Sequence, residues 1–246
     1  MKQTIVLDIG NTTIDVAFFN ENTLYKTAKF YHEDIEQEFL YAIASEISSN
    51  SKLVVGYVNK TAFNLVYKYL KNFFSSIQII NDYTKWDFNV AAGLKFDELG
   101  IDIKAICQYL KDNKIAKSHI FMLGSANVKL NYTDFNLKSV SISPGLELQF
   151  NALKDYIYAF NSLNFNDISQ LITDELSSGK NTKEAIALGL KNSLIELVLP
   201  YNSDDILITG CNLKYLPIII KNNPNKYDYN LVLKAYFWVS TITYKK

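Results

Sequence analysis

Residues 4–19, TIVLDIGNTTIDVAFF, constrain the fold more than any other stretch of the chain. Ile5, Val6 and Leu7 form a short apolar run that stops at Asp8. Gly10, Asn11, Thr12 and Thr13 supply turn chemistry. Ile14, Val16 and Phe18 then resume the alternation of a strand with one buried face. The pattern predicts a β-hairpin whose tip carries one carboxylate and a row of small hydroxyl and amide groups. Such a tip can turn backbone N–H groups towards a polyphosphate while Asp8 faces a magnesium ion. An ordinary hairpin with a polar turn has the same pattern, so the rest of the chain must separate the two readings.

The chain has 246 residues, enough for one or two domains, and 48% of them are hydrophobic, enough for a core. Net charge is zero and no basic block occurs. Neither nucleic acid nor an anionic membrane is therefore an expected partner. Cys107 and Cys211 are too few for a disulfide framework, and with His32 and His119 they show no metal-ligand spacing. Structural roles are expected for all four. Asp8 interrupts the first apolar run, so no secretion signal is read there. No stretch reaches the ~18 apolar residues of a membrane span, and a cytoplasmic protein is expected. All 25 basic residues counted as Lys+Arg are lysine. Any anion site must use lysine, backbone N–H groups or hydroxyls, because the bidentate guanidinium fork is missing.

Beyond the hairpin, residues 23–30 read as a third strand and 33–48 have helical spacing. Strands are expected at 52–58 and 77–80, with a helix at 62–74 between them. Residues 82–98 look irregular, and a helix with Asp102 in its first turn is expected over 100–113. At 119–124 the opening pattern returns: FMLGSANVKLNY can be laid over VLDIGNTTIDVA with Gly124 on Gly10. Residues 128–130 continue into a second strand, and 138–142 supply a third. Helices are expected at 145–160, 168–177, 182–197 and 231–241, a strand at 205–210, and a loop at 222–228. A pseudo-repeat of three meandering strands followed by helices suggests two related domains with a cleft between them.

At this point the residues resemble a known family. LDIGNTTIDVAFF resembles the first phosphate motif of type III pantothenate kinases, members of the actin, sugar-kinase and heat-shock ATPase superfamily. Residues 52–59, KLVVGYVN, match the family's strand ending in SSVVP. LGIDIKA (99–105) lies where it has LGADRWA, and MLGSANV (122–128) where it has DAGTATT. ISPGLELQFNAL (142–153) is similar to IAPGLEL, GKNTKEAIALGL (179–190) to GRNTVEAIQSG, and ILITGCNLKYL (206–216) to LTGGDA. The resemblance runs nearly end to end. It implies an α/β fold of two ribonuclease-H-like (actin-like ATPase) domains, 1–115 and 116–246, with mixed sheets flanked by helices.

The resemblance also implies chemistry: transfer of the ATP γ-phosphate to pantothenate, the first step of coenzyme A biosynthesis. Asp8 would hold Mg²⁺, and Gly10, Asn11, Thr12 and Thr13 would surround the phosphates. Asp102 would be the general base, with Gly100, Ile101 and Ile103 beside it on the substrate side. An aspartate at a helix start is also favoured by the helix dipole alone. Ser125 and Gly210 would contact the nucleotide. Pro144 and Gly145 would shape a helix entry. Thr182 would reach the partner subunit's pantothenate in a homodimer, although it also fits an N-cap.

Several positions depart from the family pattern. Ile103 replaces the arginine that helps to hold pantothenate, and Lys104, turned about 100° away on a helix, is a poor substitute. Met122 replaces the aspartate that binds potassium; a thioether is a soft ligand for a hard cation, so no K⁺ or NH₄⁺ site is expected. Gly93, Lys95 and Phe96 fall on the Tyr, Asn and Pro of YxNP, Cys211 on the second glycine of TGG, and Asn127 on a threonine. Two readings fit this set. One is an active kinase with rearranged pantothenate contacts. The other is a non-catalytic nucleotide-binding or regulatory paralogue of the same fold.

Overall fold

The computed structural model describes residues 3–34, 38–48, 50–81, 83–201, 204–217 and 226–242. Strands β1 (Gln3–Ile9) and β2 (Thr13–Asn20) form the expected hairpin, with Asp8 opposite Asp15 and Ile9 opposite Ile14. Strand β3 (Thr23–Tyr31) extends it antiparallel. Strands β4 (Lys52–Tyr57) and β5 (Ser76–Ile80) then add in parallel, giving the order β3-β2-β1-β4-β5. Crossovers between parallel strands need helices, and α1 (Leu40–Ala44) and α2 (Lys60–Leu70) lie between the strands concerned. Asn59 caps α2, its side chain accepting from the Ala62 N–H at 3.0 Å.

The alternation of β1 sorts its side chains onto two faces. Ile5, Leu7 and Ile9 join Ile14, Val16, Leu53 and Val55 in a core closed by Phe39, Ile43, Val66 and Leu70. Val6 and Asp8 point to the opposite face, with Ala17 and Phe19 of β2 and Val54 and Gly56 of β4. That face is covered by α3 (Ile101–Asp112) and α7 (Leu231–Thr241), and the Phe19 and Phe237 rings stack at 4.0 Å. A two-residue strand, β6 (Asn89–Val90), precedes α3.

The chain divides into two compact units, Met1–Ile115 with Asn230–Lys246, and Ala116–Tyr229. The expected extent of the second domain, 116–246, is corrected at its end, because the last helix belongs to the first unit. The cause is hydrophobic. Helix α7 buries Leu231, Leu233, Ala235, Tyr236, Phe237 and Val239, too wide an apolar girth for a surface helix. The uncovered face of the first sheet receives it.

In the second unit, β7 (His119–Leu123), β8 (Ala126–Thr133) and β9 (Asn136–Pro144) form an antiparallel meander, and β10 (Ile206–Thr209) lies parallel to β7. The order β10-β7-β8-β9 repeats β4-β1-β2-β3. The fold is α/β with two mixed sheets, as the faint repeat implies. Its core joins Phe121, Leu123, Ile206 and Ile208 to helices α4 (Leu146–Tyr156), α5 (Phe165–Gln170) and α6 (Thr182–Val198).

Helix ends differ from expectation where a local hydrogen bond decides them. Helix α4 ends at Tyr156 and a 3₁₀ turn, Tyr158–Phe160, follows. Helix α5 starts earlier than residue 168 because the Asn164 side chain accepts from the Asp167 N–H. Of the helix read over 33–48, residues 35–37 lie outside the described residues. So do residues 222–225 of the loop read over 222–228. Among the described residues no helix is long and apolar enough to cross a membrane.

Candidate active site

The β1–β2 tip is closed by the Gly10 N–H donating to the Thr13 carbonyl at 2.9 Å. Asn11 and Thr12 are exposed at its end, and Thr13 is half-buried. Behind the tip, Lys29 of β3 stands opposite Asp15 and pairs with it at 2.7 Å, and its ammonium also donates to the Thr13 hydroxyl at 3.4 Å. This places a cation and small hydroxyls beside Asp8, a combination that suits a phosphate chain without any guanidinium.

Asp8 is half-buried at the end of β1. Burial pushes its carboxyl well above the ordinary carboxylate value of 3.8. The charges of Asp102 and Asp15 push the same way, while Lys29 and the Tyr236 hydroxyl oppose them. The charge of Asp102 thus bears on Asp8, although 94 positions separate them along the chain (102 − 8).

Asp102 reaches this place because α3 starts at Ile101 and packs against β4 and α7 on the Asp8 face. Its carboxylate folds back over Gly100, where a Cβ would collide with it. One oxygen, Oδ1, accepts from the Ile103 N–H at 2.9 Å. Burial raises the Asp102 pKa, and the hydrogen bonds from the Ile103 and Asp102 backbone hold it down in part. The position that departs from the family arginine thus offers only its backbone, since the Ile103 side chain is 6% exposed. Lys104 does not take the arginine's place. It is 1% exposed and its ammonium lies 5.0 Å from the centre of the Phe96 ring.

One residue of this cluster was not foreseen. Tyr236 of α7 is 0% exposed, and its ring occupies the space that a Gly56 side chain would fill. Its hydroxyl is raised well above an ordinary phenol by burial and by the charges of Asp8 and Asp102. A tyrosine in an apolar helix reads as core, so the sequence held no signal for it.

In the second unit, Ser125 and Gly210 follow the ends of the parallel strands β7 and β10, with Thr209 opposite Met122. Gly210 has φ +102°, and a Cβ there would strike the Leu123 carbonyl. Asn212 donates to the Gly124 carbonyl at 2.9 Å and ties the two turns together. Met122 is buried in β7. Thr182 is exposed and does not cap α6. Asn181 does, accepting from the Glu184 N–H at 3.0 Å, while Glu184 accepts from the Lys180 N–H. Thr182 instead lines an apolar groove of about 950 Å³ with Pro144, Leu153, Tyr156, Ile157 and Ile186.

Among the described residues no group of three or more His, Cys, Asp or Glu could hold a metal alone. The donor set around Asp8 fits a hard cation held by one carboxylate and completed by phosphate oxygens and water. Asp8 and Asp102, whose ionisation burial opposes, form a potential that such a cation relieves.

A family model for type III pantothenate kinase matches residues 4–201. A type III pantothenate kinase from Flavobacterium psychrophilum is 26% identical over 238 residues, covering 89% of this chain and 90% of that protein. One from Mycoplasmopsis synoviae is 22% identical, covering 97% and 96%. Among solved structures, component A of (R)-2-hydroxyglutaryl-CoA dehydratase from Acidaminococcus fermentans aligns with TM-score 0.54 at 8% identity, covering 98% of this chain and 100% of that one. MreB5 of Spiroplasma citri, bound to ADP, aligns with TM-score 0.50 at 10% identity, covering 97% and 96%. The two structures show the shared actin-like ATPase fold.

Proposed function

We infer, for a chain that belongs to the type III pantothenate kinase family, that Asp8 and Asp102 carry out its ATP-dependent reaction. The reaction moves the γ-phosphoryl group of ATP to the primary hydroxyl of pantothenate, giving ADP and 4′-phosphopantothenate. The observation that carries the residue assignment is that α3, with Asp102 in its first turn, packs on the face of the first sheet to which Asp8 points.

Phosphoryl transfer needs positioning and charge neutralisation more than covalent chemistry. Gly10, Asn11, Thr12 and Thr13 cradle the phosphates, with Lys29 behind them. Asp8 would hold Mg²⁺, which supplies charge neutralisation on the phosphate oxygens when bound. Asp102 receives the pantothenate hydroxyl proton. Its Oδ1 is engaged by the Ile103 N–H, so the other oxygen is left to face the substrate. A raised pKa brings this carboxylate closer to the working pH, which improves a general base. Ser125 and Gly210 contact the nucleotide, and the left-handed Gly210 lets backbone approach it closely.

Two further assignments belong to this reading. Met122 leaves turnover independent of K⁺ and NH₄⁺. A second copy of the chain covers the apolar groove lined by Thr182, whose rim includes Leu153 at 38% and Tyr156 at 91% exposure. The test is product identification by mass spectrometry after incubation with ATP, Mg²⁺ and pantothenate. A product heavier than pantothenate by one phosphoryl group supports the reading. ATP bound without transfer would favour the regulatory paralogue instead.

A further inference from the structure

We propose that Tyr236 is a positioning residue whose hydroxyl orients the Asp8 carboxylate towards the metal–nucleotide; the proposal rests on the kinase reading above. Three observations carry it. First, the ring lies over Gly56, which stands opposite Asp8 in the β1–β4 ladder, on the face that Asp8 shares. Any side chain at Gly56 would displace the ring, so the glycine and the tyrosine are fitted to each other. Second, the Tyr236 hydroxyl is buried and has no hydrogen-bond partner of full geometry. Buried tyrosine hydroxyls ordinarily find a partner, and phenylalanine would fill the same space without that burden. Third, α7 packs on β1, the strand that carries Asp8.

A phenol O–H donates, and an ionised carboxylate only accepts. The available bond is thus from Tyr236 to Asp8, and it fixes which carboxylate oxygen turns towards the hairpin tip. The last helix of the chain thereby reaches the site formed by the first strand. The hydroxyl touches neither ATP nor pantothenate in this assignment; it acts through Asp8.

The test compares wild type with Tyr236→Phe. Binding of Mn²⁺ with a non-hydrolysable ATP analogue, followed by electron paramagnetic resonance, is expected to weaken about tenfold, because hydrogen bonds to charged groups are among the stronger ones. The KM for pantothenate is expected to stay within twofold. Unchanged Mn²⁺–nucleotide affinity would overturn the assignment. So would a Tyr236→Phe protein that failed to fold, since the hydroxyl would then be structural. If the wild type binds Mn²⁺–nucleotide yet makes no phosphopantothenate, the kinase reading fails and the Tyr236 comparison still stands. If it binds no nucleotide, urea unfolding of Asp8→Asn, Tyr236→Phe and the double variant decides. Coupling of about fivefold or more in the folding equilibrium supports the contact, and additive effects overturn it.

Discussion

Asp8 ends the buried apolar run of Ile5, Val6 and Leu7 in β1, and its position works against the stability of the ligand-free protein. Its native pKa is raised, so between the unfolded and native values the native state binds more protons than the unfolded chain. Stability therefore falls as pH rises from about 3.8 through the native pKa. Ligand-free Asp8→Asn is accordingly expected to melt higher than wild type at pH 7.5, and the gap should close near pH 4; thermal melts at the two pH values check both halves. A catalytic carboxylate that costs stability is a common trade-off. Gly210 bears on folding more simply. Alanine there must adopt φ +102° against the Leu123 carbonyl. Gly210→Ala is expected to cost about 1–3 kcal/mol in urea unfolding.

At the scale of elements, local patterns were legible and destinations were not. The β1–β2 hairpin follows from alternation and turn residues within 16 positions, so the sequence held everything needed. The start of α6 at Thr182 was read correctly but its cap was misplaced by one residue, since Asn181 and Thr182 are both capping types and only geometry shows which side chain reaches the Glu184 N–H. Asn181→Ala is expected to lower stability by about 1 kcal/mol in urea unfolding, and Thr182→Ala to leave it nearly unchanged. Helix α7 was placed correctly along the chain but assigned to the wrong unit. An apolar helix must be buried, yet nothing in its own residues says against which sheet. The same blindness hid Tyr236, whose importance depends on Gly56, 180 positions earlier (236 − 56).

For the whole molecule, the repeated strand order in the two units gives each a turn at the same place, and the two turns carry different chemistry. The first has Asp8, hydroxyls and Lys29 beside it; the second has Met122 and Ser125, with Gly210 on the neighbouring turn after β10. Under the proposed function a second copy of the chain covers the apolar groove on the second unit. Leu153→Asp combined with Ile157→Asp is expected to convert a dimer to a monomer by light scattering, with melting behaviour retained, because both side chains are partly exposed. The most direct test of the account is pantothenate-dependent ADP release by wild type and by Asp102→Asn at saturating Mg²⁺–ATP. General-base catalysis of this kind contributes about 10²–10⁴-fold, so kcat should fall by that factor with the KM for ATP little changed. An Asp102→Asn protein that turns over as fast as wild type would contradict it.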